Sequence, residues 1–324
     1  MSPTATQENN ERALFFKSLK PKNVEPLWTV MSAMVPPKPL PKATPTVWSY
    51  KQLRPLLEES GRLVPAEESE RRVLMLINPS LLAPQTTDTL YAGLQYINPG
   101  EVAPAHRHCA FALRFIIEGE GGYTNVEGCK MYMSKGDVIL TPRWEWHDHG
   151  KDGNGPMIWL DGLDLPMFKA IPVNFAEHYE SDTFPSKLVE TTKKYQWRNV
   201  QEQLDIVEGT YARYDYCDQK NSDLPISTIV GAQAERISVG AESPSRQETT
   251  SFVYHVYGGI GHTVLRSDDG KEEILKWEDN DVFCIPSWKQ FKHVNKGSTT
   301  AYLFNFSDIP MLKSLDLFRE NKDI

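Results

Sequence analysis

The chain has 324 residues, which is more than one average domain, so two domains with accessory segments are expected. A net charge of -8 leaves no basic surplus for neutralising phosphates and argues against a nucleic-acid binder. The four cysteines form no CxxC pair, which indicates reduced thiols rather than a disulfide framework or a zinc ribbon. The N-terminal residues lack the basic start and apolar run of a signal peptide, and no stretch has the ~20 apolar residues of a membrane span. A cytoplasmic location is therefore predicted.

Residues 1–70 are rich in charge and proline. Short helical patterns at Glu11–Leu19 and Tyr50–Leu57 lie on either side of the loop Val35–Pro45, which contains five prolines. Such a segment has too little apolar surface for a core of its own. We predict an arm that packs on something else, for example another subunit.

A β-rich region begins near Leu90, where short apolar runs alternate with glycine-containing turns. The predicted strands are Tyr91–Ile97, Phe111–Glu118, Tyr123–Val126, Lys130–Met133, Asp137–Leu140 and Met157–Leu160. Closely spaced short strands of this kind are typical of a β-barrel or sandwich. A helical pattern is expected between Asn174 and Val200, followed by a second set of strands over Gly231–Phe306.

The two β regions resemble each other in sequence. The segment Gly-Asp-Val-Ile-Leu-Thr-Pro-Arg-Trp at 136–144 matches Asn-Asp-Val-Phe-Cys-Ile-Pro-Ser-Trp at 280–288, with an offset of 144 residues. Upstream, Gly122-Tyr-Thr matches Gly261-His-Thr with an offset of 139. Two similar offsets separated by one small indel indicate a duplication.

Half of the eight histidines fall within 44 residues, as the His-x-His pairs His106/His108 and His147/His149. Residues i and i+2 of a strand point to the same face, so each pair can present both rings to one point. Neutral imidazole is the commonest protein ligand for transition metals, and three rings leave coordination positions open. The alternative is a set of satisfied core histidines or a solvated cluster. Two pairs with turn residues at fixed offsets favour the metal site.

These motifs resemble the gentisate 1,2-dioxygenase family, which also includes salicylate and 1-hydroxy-2-naphthoate dioxygenases. Gly100 followed by His106-Arg-His108, and Gly136 followed by Pro142 and His147, are similar to the two cupin motifs. The family likeness lies in His106–Gly119 and in the run Trp-Glu-Trp-His-Asp-His that ends at His149.

The resemblance implies an all-β core in a bicupin fold, with two double-stranded β-helix (jelly-roll) barrels, a helical N-terminal arm and a linker. The predicted domains are the arm at 1–70, an N-terminal cupin with the metal site at 71–170, a linker with helical segments at 171–230, and a C-terminal cupin that has lost its metal ligands at 231–324.

The ligand set is also taken from the resemblance. Many cupins place a glutamate ligand four or five residues after the second histidine, where this chain has Ala112 and Leu113. Its absence agrees with the three-histidine site of the family, so His106, His108 and His147 are the predicted metal ligands and Fe(II) the predicted cofactor. Three neutral ligands leave the ion its full double charge, which an anionic chelating substrate would neutralise.

The C-terminal copy departs from this pattern. Arg246-Gln-Glu248 stands where the first His-x-His is expected, and Phe291 aligns with His147. Only His293, aligned with His149, is retained. The second cupin is therefore expected to be a scaffold or a subunit interface, and related dioxygenases imply a homotetramer.

Four further residues are predicted to contact the substrate or oxygen. Arg114 lies in an otherwise apolar run and needs a carboxylate partner, which is Glu118 or Asp161 in a structural role and the substrate carboxylate in a functional one. The resemblance favours the functional role. It also places Gln95 and Asp161 in the pocket, unless they cap turns. His149 is either a hydrogen-bond partner behind the ligands or a contact to substrate or oxygen.

The remaining aromatic and histidine residues carry weaker expectations. Aromatic residues that could line the pocket, or be plain barrel core, are Tyr91, Trp144, Trp146 and Trp159. Histidines interpreted as structural are His178, His255 and His262.

The predicted activity is that of a gentisate 1,2-dioxygenase, which uses O₂ to open the ring between the carboxyl-bearing and ortho-hydroxyl carbons and yields maleylpyruvate. Salicylate and 1-hydroxy-2-naphthoate are alternative substrates, because discrimination by pocket shape amounts to only a few kcal/mol. Zinc-dependent hydrolysis on the same histidines is a rival chemistry. A non-catalytic bicupin binding or storage protein is the alternative of another class.

Overall fold

A computed structural model describes residues 5–267 and 269–321, and the chain divides into two units between Leu40 and Pro41. The first unit contains helix α1, Ala5–Leu19, and helix α2, Met31–Met34. The pattern at Glu11–Leu19 is thus confirmed as part of α1. Within the described residues, no helix has the length and apolarity to cross a membrane.

The second unit contains the β-structure and four α-helices of the described chain. In chain order its elements are β1 Thr46–Trp48, α3 Tyr50–Leu63, α4 Ala66–Ser69, β2 Val73–Met75, β3 Tyr91–Ile97, β4 Val102–His108, β5 Ala112–Glu118, β6 Gly122–Val126, β7 Cys129–Tyr132, β8 Val138–Thr141, β9 His147–Lys151, β10 Met157–Leu163, β11 Ala176–His178, β12 Lys187–Leu188, β13 Lys194–Tyr195, α5 Trp197–Asp205, β14 Tyr211–Asp215, β15 Cys217–Asp218, β16 Asn221–Pro225, β17 Gly231–Ile237, β18 Phe252–Gly258, β19 Gly261–Arg266, β20 Glu272–Trp277, β21 Val282–Ile285, β22 Gln290–Asn295, β23 Ala301–Ser307 and α6 Ile309–Ser314.

Two six-stranded sheets form the N-terminal barrel, in the orders β13-β8-β5-β10-β3-β2 and β11-β4-β9-β6-β7-β12. Apolar side chains of both sheets meet between them, including Ile116, Val126, Met131 and Trp159. All six strands predicted between residues 91 and 160 are confirmed, with bounds that differ by at most a few residues. The all-β cupin core with N-terminal helices is therefore confirmed as well.

Strand β5 shows why the strands of this sheet are continuously apolar. Arg114 and Ile116 face the barrel interior, whereas Leu113, Phe115 and Ile117 point to the opposite face, since side chains alternate along a strand. That opposite face is also buried, because it packs against the C-terminal strands: the ring of Phe115 stacks on Phe304 with centroids 4.3 Å apart. A sheet covered on both faces has no solvent side that would call for polar residues.

The C-terminal strands form a six-stranded sheet, β1-β21-β18-β23-β17-β14, and a three-stranded sheet, β20-β19-β22. Strand β1 belongs to the segment that the sequence assigns to the arm, yet Thr46–Trp48 pairs with Val282–Cys284 of β21. Helix α3 extends the predicted pattern at Tyr50–Leu57 to Leu63. The four-part division of the chain stays a prediction, and its outermost residues, 1–4 and 322–324, lie outside the described residues.

The helical pattern expected at residues 174–200 is wrong for most of that range. Helix α5 begins only at Trp197, and the preceding residues contain the short strands β11, β12 and β13. Each of these pairs with an exposed edge of the N-terminal barrel, namely β4, β7 and β8. Pairing with strands far away in sequence satisfies the backbone donors and acceptors here, and it overrides a weak local helical preference.

Candidate metal centre and active site

The three predicted ligand histidines come together on two neighbouring strands. Strands β4 and β9 pair antiparallel, and His106 lies directly opposite His147. His106 and His108 share the inward face of β4, and their ring centroids lie 4.1 Å and 4.8 Å from that of His147. One ligand nitrogen from each ring lies within 4.8 Å of the other two. Among the described residues this is the one group of histidine, cysteine or acidic side chains arranged to hold a metal.

Backbone carbonyls orient all three rings in the same way. Nδ1 lies 2.9 Å from the Ala110 oxygen in His108, 2.9 Å from the Glu145 oxygen in His147, and 3.3 Å from the Pro104 oxygen in His106. Each Nδ1–H therefore donates to a carbonyl, which leaves the lone pair of each Nε2 for the common point between the rings. Nε2 of His147 is buried and has no hydrogen-bond partner among the described residues. A metal ion would supply that partner.

The surroundings keep these rings neutral, as metal ligands must be. Burial, aided by Arg71, lowers the pKa of His106 to about 2. Burial also lowers the pKa of His108 to about 4, and it holds the pKa of His147 well below its ordinary value. The residues present thus fit a divalent metal bound by three neutral nitrogens, as the sequence predicts.

A cavity of about 330 Å³ opens at this cluster. Its lining residues are Arg71, Val73, Tyr91, Gln95, His106, His108, Arg114, His147, Asp161, Leu163, Leu165, Asn174, Phe175 and Ala176. Three of the four predicted substrate-contact residues, Gln95, Arg114 and Asp161, are in this set. The side-chain amide of Gln95 forms no hydrogen bond within the part of the chain that the structure describes, so it faces the cavity uncommitted.

Arg114 forms a buried ion pair with Asp161. The two residues are cross-strand neighbours on β5 and β10, with Nε and Oδ1 3.2 Å apart. Arg114 also donates to the Thr141 hydroxyl at 2.6 Å, and the indole of Trp159 donates to Asp161 at 3.1 Å. Burial raises the pKa of Asp161 to about 6 against the opposing effect of Arg114, and burial lowers the pKa of Arg114. Of the two structural partners considered for Arg114, Asp161 is the one present, and Glu118 instead accepts from Arg54.

A second cavity arginine, Arg71, is absent from the sequence-based prediction. Its guanidinium donates to the Pro104 oxygen at 2.7 Å and contacts Nδ1 of His106. Burial and the neighbouring Arg114 lower the pKa of Arg71 to about 10. Arg71 lies two residues before Val73 and therefore on the same face of the chain that enters β2. This position could have indicated that Arg71 faces the cavity, but only if the pairing of β2 with β3 had been known.

His149 lies deeper than the cavity lining. Its ring is fully buried, with Nδ1 2.9 Å from the Thr124 hydroxyl and the ring centroid 5.7 Å from that of His147. Nε2 of His149 has no hydrogen-bond partner among the described residues. The hydrogen bond to Thr124 fits the supporting role considered for this residue, and its contact with substrate or oxygen stays a prediction.

Only one of the four candidate pocket aromatics lines the cavity. Tyr91 does so, and burial raises the pKa of its hydroxyl, which therefore stays protonated. Trp159 is fully buried behind Asp161. The indoles of Trp144 and Trp146 lie outside the lining and pack on Phe175 and Tyr179.

The interior of the second barrel holds an ion-pair network where the first holds three histidines. Arg246 donates to Glu248 at 2.9 Å and lies 3.7 Å from the buried carboxylate of Glu235. His293 is fully buried and hydrogen-bonds to Thr263 at 2.8 Å, and the Phe291 ring packs against it. The histidines interpreted as structural, His178, His255 and His262, belong to no metal-binding group of the described residues.

The comparisons with known proteins agree with this arrangement. Residues 93–163 match the family model described as a cupin domain. The chain is 32% identical to gentisate 1,2 dioxygenase 1 of Aquipseudomonas alcaligenes, over 99% of this chain and 98% of that protein. It is 30% identical to 5-aminosalicylate 1,2-dioxygenase of a Comamonas species, over 92% of this chain and 87% of the other.

Among solved structures, salicylate 1,2-dioxygenase of Pseudoaminobacter salicylatoxidans, in adducts with gentisate, superposes with a TM-score of 0.87 at 32% identity. That match covers 99% of this chain and 95% of the other. Fold, histidine cluster and full-length similarity lead to one assignment: the chain is a ring-cleaving dioxygenase and belongs to the gentisate 1,2-dioxygenase family.

Proposed function

We propose that this enzyme is an iron(II)-dependent gentisate 1,2-dioxygenase that converts gentisate and O₂ to maleylpyruvate. The observation that carries the proposal is a buried cavity in which three oriented, neutral histidines face two arginines. A hydroxylated aromatic carboxylate has the matching features, with an anionic group for the arginines and adjacent oxygens for a metal.

His106, His108 and His147 would hold the iron through Nε2. When bound, iron(II) supplies free coordination positions for the substrate oxygens and O₂, together with redox chemistry that zinc lacks. The task of the protein is to keep those positions open. No acidic side chain of the described chain joins the three histidines, so none neutralises the ion in advance of the substrate.

The charge of the cavity favours an anion. Arg114 is paired with Asp161, whereas Arg71 forms no ion pair with a described carboxylate. The cavity walls therefore carry one uncompensated positive charge apart from the metal. Guanidinium groups bind carboxylates through two parallel hydrogen bonds, which orients the ring as well as holding it.

The remaining predicted residues would orient the substrate. The amide of Gln95 and the hydroxyl of Tyr91 are polar groups that face the cavity and form no hydrogen bond to a described residue. Asp161 would hold Arg114 in place. Nε2 of His149, for which no described residue supplies a hydrogen-bond partner, would contact the substrate or oxygen. Fixing the ring relative to the metal is the kind of positioning that accelerates a reaction between bound partners.

Gentisate is the preferred candidate among related substrates. The relatives are named for gentisate, 5-aminosalicylate and 1-hydroxy-2-naphthoate. A cavity of about 330 Å³ lies at the lower end of the roughly 300–1,000 Å³ range of small-molecule pockets, which favours one aromatic ring over two. The para-hydroxyl of gentisate makes its ring easier to oxidise than that of salicylate, which lacks this group. A homotetrameric state and a cytoplasmic location stay predictions.

The test is oxygen consumption by the protein reconstituted anaerobically with iron(II) and then given gentisate in air. We expect stoichiometric O₂ uptake together with the near-ultraviolet absorbance of the ring-opened product. His106→Ala should abolish both, whereas His262→Ala, which changes a histidine of the second barrel, should retain them. If salicylate or 1-hydroxy-2-naphthoate is turned over faster than gentisate, that acid is the preferred substrate instead of gentisate. The absence of O₂ uptake with all three acids, with one iron bound per chain, would refute the proposal.

A further inference from the structure

The residue between the first two ligand histidines is itself enclosed. Arg107 points to the outer face of β4, because its neighbours His106 and His108 point inward. Its guanidinium lies between two indoles, 4.6 Å from the ring centroid of Trp144 and 4.4 Å from that of Trp146. Both distances are within the range of a cation–π contact. We call these three side chains the Arg107 clamp.

The segment that supplies the two indoles also touches the ligands through its backbone. The N–H of Trp144 donates to the carbonyl oxygen of His108 at 2.9 Å. The carbonyl of Glu145, between the two tryptophans, accepts from Nδ1 of His147 at 2.9 Å. A shift of this turn relative to β4 would therefore change the orientation of ligands on both strands.

The second barrel provides an internal comparison. Trp288, which corresponds to Trp144, has the same left-handed backbone (φ 63° against 62°), and its N–H donates to the Glu248 oxygen at 2.6 Å. Gln247 and Gln290, however, stand in place of Arg107 and Trp146. The turn is thus common to both barrels, whereas the clamp occurs in the barrel that has three clustered histidines.

From this we infer that Arg107 is a positioning residue for the metal ligands. Stacked between the indoles, it fixes the spacing between β4 and the turn at 142–146, and so the relative placement of the three Nε2 atoms. Its charge is balanced by Glu177 on β11, with Nε 2.7 Å from Oε2. The inference rests on the metal site of the proposed function and is independent of the substrate.

Co(II) is a suitable probe, because its visible absorption reports coordination geometry and its binding can be measured without turnover. The metal-free full-length protein would be titrated with Co(II) in competition with a chelator. Arg107→Met keeps an unbranched apolar side chain but removes the planar cation, and Trp146→Leu removes one of the two indoles. We expect each to weaken Co(II) binding by about 10- to 100-fold, as changes to groups that orient metal ligands do, and to alter the visible spectrum.

Four further variants separate the clamp from other effects. Gln247→Met, at the equivalent position of the second barrel, should bind Co(II) as the wild type does. Arg107→Lys keeps the charge without the planar stack and should be intermediate. Glu177→Gln removes an ion pair whose acidic side chain is half exposed, and it should change Co(II) binding by less than about threefold. The double variant R107M/W146L should be little worse than either single variant, because both changes remove the same contact.

Wild-type affinity and spectrum in Arg107→Met and Trp146→Leu would overturn the inference, as would an equal loss in Gln247→Met. Circular dichroism and thermal unfolding of the metal-free proteins check folding, and if Arg107→Met fails to fold, Trp146→Leu and Arg107→Lys decide the question. A wild type that binds no Co(II) would overturn both the metal site and the inference. A wild type that binds Co(II) but consumes no O₂ with any of the three acids would refute only the proposed function.

Discussion

Replacing Arg114 by methionine separates its two possible roles. In the structural role the guanidinium serves to balance the buried carboxylate of Asp161, and in the functional role it also binds the substrate carboxylate. Arg114→Met removes both functions and leaves an unbranched apolar side chain. The double variant R114M/D161L removes the carboxylate as well, so no unpaired charge remains in the barrel.

The structure sets the size of the effect. At an N–O separation of 3.2 Å and an effective dielectric constant of about 20, the attraction between the two charges is about 5 kcal/mol. Desolvation of both groups offsets much of this, yet removal of one partner from a buried pair still costs about 3–5 kcal/mol. The pKa of Asp161, already raised to about 6 by burial, would rise further without Arg114. Part of the cost would then appear as protonation of this carboxyl group.

Thermal unfolding of the metal-free proteins measures the structural role. For a chain of this length roughly 2 °C of Tm corresponds to 1 kcal/mol, so Arg114→Met should lower Tm by about 6–10 °C. The double variant should recover at least half of that loss, because apolar replacements of a buried ion pair are often neutral or stabilising.

Steady-state O₂ uptake with gentisate measures the functional role. A hydrogen-bonded contact to a charged group contributes about 1.5–3 kcal/mol, so both variants should raise KM by about 10- to 150-fold if Arg114 binds the substrate. The double variant is decisive, since at least half of its stability loss is recovered and its arginine is still missing. Wild-type KM and kcat in that variant would refute the substrate-binding role and leave Arg114 as a structural counter-ion.

Three other outcomes follow from single positions. A Cβ on Gly93 would lie 2.5 Å from the Tyr91 hydroxyl, so Gly93→Ala should narrow the cavity. The kcat/KM for 1-hydroxy-2-naphthoate should then fall more than the kcat/KM for gentisate. An unchanged ratio of the two values would contradict this. Burial lowers the pKa of His255 to about 3. Between pH 6.5 and 3 this histidine therefore binds a proton in the unfolded chain but not in the folded one. Its contribution makes the free energy of unfolding fall by about 1.4 kcal/mol for each pH unit below about 6.5. His255→Leu should reduce this pH dependence in urea unfolding. It should not lower stability at pH 7, because neither ring nitrogen has a described hydrogen-bond partner. An unchanged pH dependence would show that His255 is not the source of this proton uptake. Phe115→Ala should lower the free energy of unfolding by about 3–5 kcal/mol, because the ring is fully buried against Phe304 between the two barrels. A decrease of less than about 1 kcal/mol in urea unfolding would show that this contact is dispensable.

Local pattern predicted the strands of the first barrel well. The bounds of β3 are those expected from the sequence, and β5 begins one residue later than predicted. Both faces of these strands are buried, so the apolar runs are long and the glycine-containing turns stand out between them. The shared orientation of each histidine pair was predicted equally well, because residues two apart in a strand lie on the same face.

The indoles of the Trp144-Glu-Trp146 run show where local pattern was insufficient. Near the predicted metal ligands in sequence, they were candidates for the pocket lining, but the structure places them on the outer side of β4 around Arg107. The face that a turn residue points to depends on the backbone of the turn, and Trp144 has a positive φ that the residue type does not suggest.

What the sequence determined by itself was the set of short-range relations: which residues form strands, which side chains share a face, and which two histidine pairs can each present both rings to one point. Tertiary structure alone decided the relations between distant segments. Pairing of β2 with β3 brings Arg71 into the cavity, pairing of β11 with β4 places Phe175 at its mouth, and β1 joins the second barrel from the predicted arm. These pairings depend on which strand edges and apolar faces remain free once the barrels have formed. Short segments such as β1, β2 and β11, of three residues each, carry too little pattern to specify their partners.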